Sequence, residues 1–385
     1  MRILQVAPYF PPYSGGQERY VYNLCKYLVR RGHEVLVLTS NYPPLKRGNL
    51  EGGRLTVKRL KVFLRPLRNP IIPSLVRFLI RHSRWADLVH VHNEHSFSSM
   101  IASALKGHIG FPMVLSNHGR LIFGNRVADF LERCYSASIG KRVFRSADAI
   151  TVNSPADEKY IYRLVPEVEG RVFVVPNAID EERLRRILET QGEVKMEGGR
   201  ESERFKLLFV GRLITRKGVE WLIKAMRIVR ELRKEVMCLI VGEGEDEAYL
   251  RKLAASLRLG EHVRFLGRVS DKELVSLYLT SDAFVLPSIS EGCPTVLLEA
   301  MYFGLPVVAT NLPGMRDVFK GAAILVPPKD PHALAEAILL LLDDEELRSR
   351  LAVQGRKLVK ERHLWGKTVR MFEEIYLRVL REVYA

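Results

Sequence analysis

The chain reads as two doubly wound α/β domains in succession, each a parallel sheet covered by helices on both faces. Three observations point there. Short, continuously apolar stretches rich in Val, Ile and Leu alternate with helix-patterned ones, the signature of strands buried on both faces. The alternation runs through the first half, breaks at a polar, glycine-bearing segment over residues 189–204, and then repeats. At 385 residues the chain exceeds one ordinary domain, and two of about 180 residues each fit its length. The expected division is an N-terminal domain over residues 1–180, a C-terminal domain over 181–363 with 189–204 as a loop insertion, and a terminal helix over 364–385 packed back on the first domain.

In chain order, residues 3–7 form the first strand and a proline-rich loop follows at residues 8–13. Ser14 and Gln17 have capping-box spacing for a helix that runs to about Arg31, where Gly32 ends it. Further strands are predicted at residues 34–39, 88–91, 113–115 and 149–152, then at 206–210, 237–241, 263–266, 283–286 and 307–309. Lys217-Gly218 opens a helix through Leu232, and Trp365, Phe372, Ile375, Tyr376 and Val379 fall near helical spacing at the end. Ligands of such sheets bind at the carboxyl ends of strands. Those ends carry Gly15 and Gly16, Gly211 and Arg212, Gly242 and Gly244, and Gly267, Arg268 and Val269.

The net charge of +16 is uneven, and the unevenness is informative. Residues 1–180 hold 26 Lys and Arg against 13 Asp and Glu, whereas the remainder holds 34 against 31. A basic half implies an anionic partner there, nucleic acid or an acidic membrane surface. No run of 18 apolar residues occurs, and the first residues enter a strand pattern directly without a signal-peptide layout, so a cytoplasmic, non-spanning protein is expected. Cys25, Cys134, Cys238 and Cys293 have neither metal nor redox spacing and are expected to be reduced and mostly buried. Sparse Asn and Gln beside plentiful Arg, Lys and Glu point to a thermophilic source.

The most informative stretch is residues 290–301, in which Glu291 and Glu299 stand with seven residues between them in a mostly apolar run. A carboxylate in such a run loses stability to desolvation unless a partner wants it there. Pro294 fits the first helical position, where its missing N–H costs nothing, and the N–H groups of Thr295 and Val296 then face an anion, phosphate being the commonest. An amphipathic helix with two solvated glutamates is the plainer reading.

Taken together, the motifs resemble the retaining glycosyltransferases of family 4, which have the GT-B fold: two Rossmann-like domains facing across a cleft. The matches are Gly15-Gly16, Asn117-His118-Gly119, Pro176-Asn177-Ala178, Val210-Gly211-Arg212 with Lys217-Gly218, Gly242-Glu243-Gly244, and the E-x7-E pair followed by Gly304-Leu305-Pro306. The chain resembles an archaeal or thermophilic member of that family. It implies that Arg212 and Lys217 contact the diphosphate of a nucleotide-sugar donor, that Glu299 accepts hydrogen bonds from the ribose, and that Glu291 holds hydroxyls of the transferred sugar. Gly292, Cys293, Thr295 and Val296 line sugar and phosphate, and Arg268 and Val269 lie where the base is met. Gly15 and Gly16 allow close approach to phosphate, and His118 stands near the reacting sugar. The implied catalytic set is His118, Glu291, Arg212 and Lys217, with neither cofactor nor metal. Against each role stands a plainer one: solvated cations, glycines that only shape a loop, a satisfied core histidine.

Cys293-Pro294 departs from the family, which often has an aromatic residue and a second glycine there, and Pro294 removes one N–H donor; this bears on the sugar, and mannose, glucose and N-acetylglucosamine all stay open. Residues 58–84 carry eight Lys and Arg and no acidic residue, interleaved with Phe63, Leu67, Ile72, Leu75 and Leu79. Residues 73–84 have the basic amphipathic character of a helix on an anionic bilayer, which implies a lipid-linked acceptor and a peripheral place on the inner membrane face; a helix packed on the sheet with snorkelling arginines is the alternative. Tyr9 is a candidate acceptor contact. His90, His92 and His95 with Glu94 lack zinc-like spacing and are expected as polar residues at a strand end lining the cleft. Two other classes compete: a GT-B-fold nucleotide-sugar epimerase, against which the order of motifs argues, and a basic nucleic-acid-binding protein, which lacks an RNA-module signature and leaves the two glutamates unexplained.

Overall fold

The apolar stretches are strands because nothing else accommodates them: Ile3, Leu4, Val6, Val89, Val91, Phe209, Ile240, Phe284 and Val308 have lost all or nearly all contact with solvent. The computed structural model describes residues 1–13, 15–44, 50–119, 130, 134–190 and 204–384. They group into two compact units, Met1–Asn177 with Trp365–Ala385, and Ala178–Leu364.

In the first unit the described strands are β1 (Arg2–Val6), β2 (Glu34–Ser40), β3 (Leu50–Gly52), β4 (Leu55–Leu60), β5 (Leu88–His92), β6 (Met113–Ser116), β7 (Ala149–Val152) and β8 (Val172–Val174). They form one sheet in the order β3-β4-β2-β1-β5-β6-β7-β8, antiparallel only between β3 and β4. Chain order reverses between β1 and β5, so the crevice beyond their carboxyl ends is this sheet's topological switch point. Register sets polar residues side by side inside the sheet: Gln5 opposite His90, His92 opposite Ser116, and Ser116 opposite Thr151. The C-terminal helix, Trp365–Tyr384, groups with this unit, burying Trp365, Phe372, Tyr376 and Val379 on one face. Each such side chain contributes about 1.5–3 kcal/mol by leaving water.

Local details differ from the sequence reading. The first helix spans Gly16–Arg30 with Gly15 at its N-cap and no side-chain capping bond. Ser14 lies outside the described residues, and Gln17 spends its amide oxygen on Asn93 Nδ2 at 2.8 Å, a tertiary bond in place of a capping box. Strands β3 and β4 were not anticipated because they lack a continuous apolar run, β4 carrying the partly exposed Lys58 and Arg59, and β8 because it is only three residues long, Val172–Val174.

The second unit holds β9 (Phe205–Val210), β10 (Val236–Val241), β11 (Val263–Gly267), β12 (Ala283–Leu286), β13 (Val307–Thr310) and β14 (Ile324–Val326). All pair in parallel in the order β11-β10-β9-β12-β13-β14, and chain order reverses between β9 and β12. Its loops approach one another closely through glycine. A Cβ on Gly242, whose φ is +128°, would lie 1.9 Å from the Gly211 carbonyl oxygen, and one on Gly218, at φ +67°, would lie 2.0 Å from that of Pro287. Glu189 and Thr190, expected in a loop, instead end the helix Glu181–Thr190; residues 191–203 of that expected insertion lie outside the described residues. Among the described residues no helix is long and apolar enough to cross a membrane.

Candidate active site

In the second unit the charged groups gather where the sheet reverses. The turn after β9 contains the 3-10 segment Thr215–Lys217 and the helix Val219–Leu232, capped by Gly218 rather than opened by Lys217. From this turn Lys217 Nζ donates to Glu291 Oε1 at 2.5 Å, and Arg216 Nη1 lies 3.5 Å from the same oxygen while donating to the Ser290 carbonyl at 2.8 Å. Ser288 Oγ adds a long contact of 3.4 Å from the β12 side. Burial raises the Glu291 carboxyl, but Lys217 and Arg216 outweigh it and hold the group below its usual range. The glutamate is therefore ionised, clamped and nearly enclosed.

Arg212 is exposed and makes no side-chain bond to a described residue. Among the described residues it is thus a cation held at a strand end without a counter-ion.

The helix Thr295–Tyr302 begins one residue later than expected: Pro294 is its N-cap, its carbonyl receiving the first intrahelical bonds from Leu297 and Leu298. The N–H groups of Thr295 and Val296 precede those bonds, with Gly292 and the buried Cys293 just ahead. Glu299 is buried within this helix, accepts from the Tyr278 hydroxyl at 3.2 Å, and lies 4.0 Å from Arg183, which also pairs with Asp271. The two glutamates thus have separate partners. Arg268 is exposed and Val269 half-buried on the turn after β11, whose Gly267 carbonyl accepts from the Gly242 N–H at 2.8 Å.

In the first unit, Gly15 and Gly16 start the helix after β1. A Cβ on Gly16 would meet nothing within 4 Å, so no neighbouring protein atom demands glycine there. His118 follows β6, its N–H donating to Asn93 Oδ1 at 3.1 Å, while Asn117 Nδ2 donates to buried Glu94 at 2.5 Å. Its ring packs edge-on against Tyr20 with centroids 4.7 Å apart. Burial, with His95 nearby, pushes the His118 imidazole down to about 4, against a smaller upward pull from Glu94. The ring is neutral at ordinary pH.

Two expectations about this unit are corrected. His90 and His92 do not line an open strand end: both are fully buried, His90 bonded to the Tyr376 hydroxyl at 2.7 Å and to Ser116 Oγ at 2.8 Å. The C-terminal helix covers that end, a contact across 286 positions that local pattern could not reveal. Tyr9 is likewise buried, stacked on Tyr13, its hydroxyl donating to the Arg68 carbonyl at 2.7 Å and accepting from Arg65 Nε at 3.1 Å. It ties two loops together and has no hydroxyl proton left to offer an acceptor.

The basic segment also differs in detail. The helix Leu75–Ser83 buries Leu75 and Leu79, whereas Phe63, Leu64 and Leu67 on the preceding turn are 72%, 55% and 63% exposed. Large apolar exposure sits on the turn, among exposed Lys61 and Arg68.

Sequence reasoning missed Arg216, Ser288, Tyr278, Arg183, Gln5 and Asn93. Arg216 stood beside Lys217 and Ser288 three residues before Glu291, so both were readable; the others sit at separations that carry no local signal.

Comparison with known proteins agrees with this geometry. The family model described as Glycosyltransferase Family 4 matches residues 14–183, and that described as Glycosyl transferases group 1 matches residues 191–358. The chain is 29% identical to a phosphatidyl-myo-inositol mannosyltransferase of Mycobacterium leprae, over 98% of this chain and 96% of the relative. It is 25% identical to a component of the phosphatidylinositol N-acetylglucosaminyltransferase of Arabidopsis thaliana, over 99% of this chain and 83% of the relative. Its fold matches a sucrose-phosphate synthase from Thermosynechococcus elongatus with a TM-score of 0.81, at 23% identity and 99% coverage of both chains. With two parallel-sheet units and both family models in chain order, the chain belongs to the family 4 glycosyltransferases, hexosyltransferases of the GT-B fold.

Proposed function

We propose that the protein is a retaining hexosyltransferase that moves mannose, glucose or N-acetylglucosamine from a nucleoside-diphosphate sugar to a lipid-linked or other glycan acceptor at the cytoplasmic face of the membrane. One observation carries the reading: cations and a clamped carboxylate converge between the carboxyl ends of β9 and β12, where chain order reverses.

Charge grows on the departing diphosphate as the anomeric C–O bond breaks, and preorganised cations and N–H groups stabilise it best. Arg212, Lys217 and Arg216 supply cations; Thr295 and Val296, with the backbone of Gly292 and Cys293, supply the helix start. Glu299 accepts from the ribose hydroxyls, Glu291 from hydroxyls of the sugar, and the Gly267-Arg268-Val269 turn meets the base. In the first unit Gly15 and Gly16 let phosphate approach the backbone, and His118 stands beside the sugar as a neutral ring. The acceptor oxygen attacks on the face the diphosphate leaves, and its proton passes to the leaving phosphate oxygen. The reading assigns no metal.

A lipid-linked acceptor is supported by the mycobacterial and plant relatives, which by name act on inositol phospholipid while differing in sugar. The exposed Phe63, Leu64 and Leu67 among cations support contact with an anionic bilayer, where apolar burial and charge add.

The test is incubation with a panel of nucleotide sugars, with and without membrane lipid extract, reading released nucleoside diphosphate and the anomeric configuration of any product by NMR. Lipid-dependent release with a retained anomer is expected. An inverted product contradicts retention, and lipid-independent isomerisation of the donor contradicts transfer.

A further inference from the structure

His118 is the outer end of a continuous chain of hydrogen bonds that runs through the first unit's core. His118 Nε2 lies 3.2 Å from His92 Nδ1; His92 Nε2 lies 2.9 Å from Gln5 Oε1. On the other side of the same amide, Gln5 Nε2 lies 3.2 Å from His90 Nδ1, which also meets the Tyr376 hydroxyl, and His90 Nε2 lies 2.8 Å from Ser116 Oγ. Gln5, His90 and His92 are all 0% exposed. Three imidazoles packed this closely, with ring centroids of His90 and His92 4.5 Å apart and those of His92 and His118 5.4 Å apart, share no carboxylate among these bonds. All three are therefore neutral, and each ring has one donor and one acceptor nitrogen.

Polarity then propagates. An amide oxygen only accepts, so His92 donates from Nε2 to Gln5 and has only a lone pair at Nδ1. His118 must donate from Nε2 to that lone pair, which leaves its own Nδ1 as an acceptor. His118 Nδ1 forms no bond to a described residue.

We infer that Gln5 and His92 are positioning residues that fix His118 in the Nε2–H tautomer, so that its Nδ1 lone pair accepts a hydroxyl hydrogen of the bound hexose. An unsupported imidazole would divide between two tautomers, of which only one can accept at that atom, and would rotate about its side-chain bonds. The buried chain removes both freedoms before substrate arrives. The hydroxyl-accepting consequence rests on the reading of His118 as the residue beside the sugar; the tautomer itself does not.

Long-range ¹H–¹⁵N correlation spectra of histidine-labelled protein separate the two. In the wild type, His118 and His92 are expected to show a protonated Nε2 and an unprotonated Nδ1. His118 protonated at Nδ1 would overturn the inference with no variant needed. His92→Phe removes the acceptor and should leave His118 in mixed tautomers with kcat lowered about five- to tenfold, the worth of about one hydrogen bond, at little change in donor KM. His92→Asn, whose side-chain oxygen falls near the lost Nδ1, should restore the Nε2–H signature and most of kcat. An unchanged His118 signature in His92→Phe overturns the inference. Full turnover by His118→Ala, with the wild-type tautomer as expected, overturns only the reading of His118 as a sugar contact.

Discussion

Lys217 Nζ lies 2.5 Å from Glu291 Oε1, and the two side chains are only 12% and 11% exposed. The pair holds the lysine at a strand end in one orientation. On the proposed reading, a bound diphosphate competes for that cation. Replacing Glu291 with Ala frees both Lys217 and Arg216, so calorimetry should find nucleoside diphosphate bound as tightly as in the wild type or more so. Turnover should fall about 100-fold, because a misplaced sugar forfeits a near-attack geometry. Weaker diphosphate binding would show that Glu291 belongs to the nucleotide and not to the sugar.

Removing the lysine instead has a structural cost. Lys217→Ala leaves Glu291 nearly enclosed with Arg216 at 3.5 Å as its remaining cation. Breaking a buried pair costs about 3–5 kcal/mol, and the surviving arginine should bring this to about 2–3. The sign against pH follows from a carboxyl held low: its stabilisation is present above the ordinary value of 4.5 and is lost as pH falls through the folded value. Urea titrations at pH 7 should show the loss, and Glu291→Gln in the Lys217→Ala background should recover part of it. Equal midpoints for Lys217→Ala and wild type would show the pair to be solvated.

The core histidines predict a second pH effect of defined sign. Burial pushes His90 down to about 3 and His118 to about 4, and His92 well below its ordinary value of 6.5. Between pH 6.5 and 4 the unfolded chain binds protons that the folded one refuses, so stability falls with acidification by up to about 1.4 kcal/mol per pH unit for each ring. Tyr376→Phe leaves this slope in place, while His92→Asn removes one proton from it. Stability that is level from pH 7 to pH 5 would contradict the burial of these rings.

How much of this was readable follows from where each contact comes from. The strands β1, β2, β5, β9, β10 and β12 announced themselves because burial on both faces requires continuous apolar runs. Gly242 was visible as a motif, and its reason, the close approach to Gly211, is a tertiary fact. Lys217, Glu291 and Glu299 were conspicuous as charges in apolar or glycine-rich surroundings. Tyr278 and Arg183, which attend Glu299, looked like ordinary helix residues. Tyr9 and His90 were misplaced because Arg65, Arg68 and Tyr376 reach them from distant positions, 56, 59 and 286 residues away.

The central claim is that the second unit holds the nucleotide through Glu299 at the ribose and the cation cluster at the diphosphate. Calorimetry of nucleoside diphosphate and of inorganic diphosphate against wild type and Glu299→Ala tests it most directly. Losing hydrogen bonds to a charged acceptor should weaken the nucleoside diphosphate about 10- to 100-fold and leave inorganic diphosphate unchanged. Equal affinity of the two proteins for the nucleoside diphosphate would contradict the account.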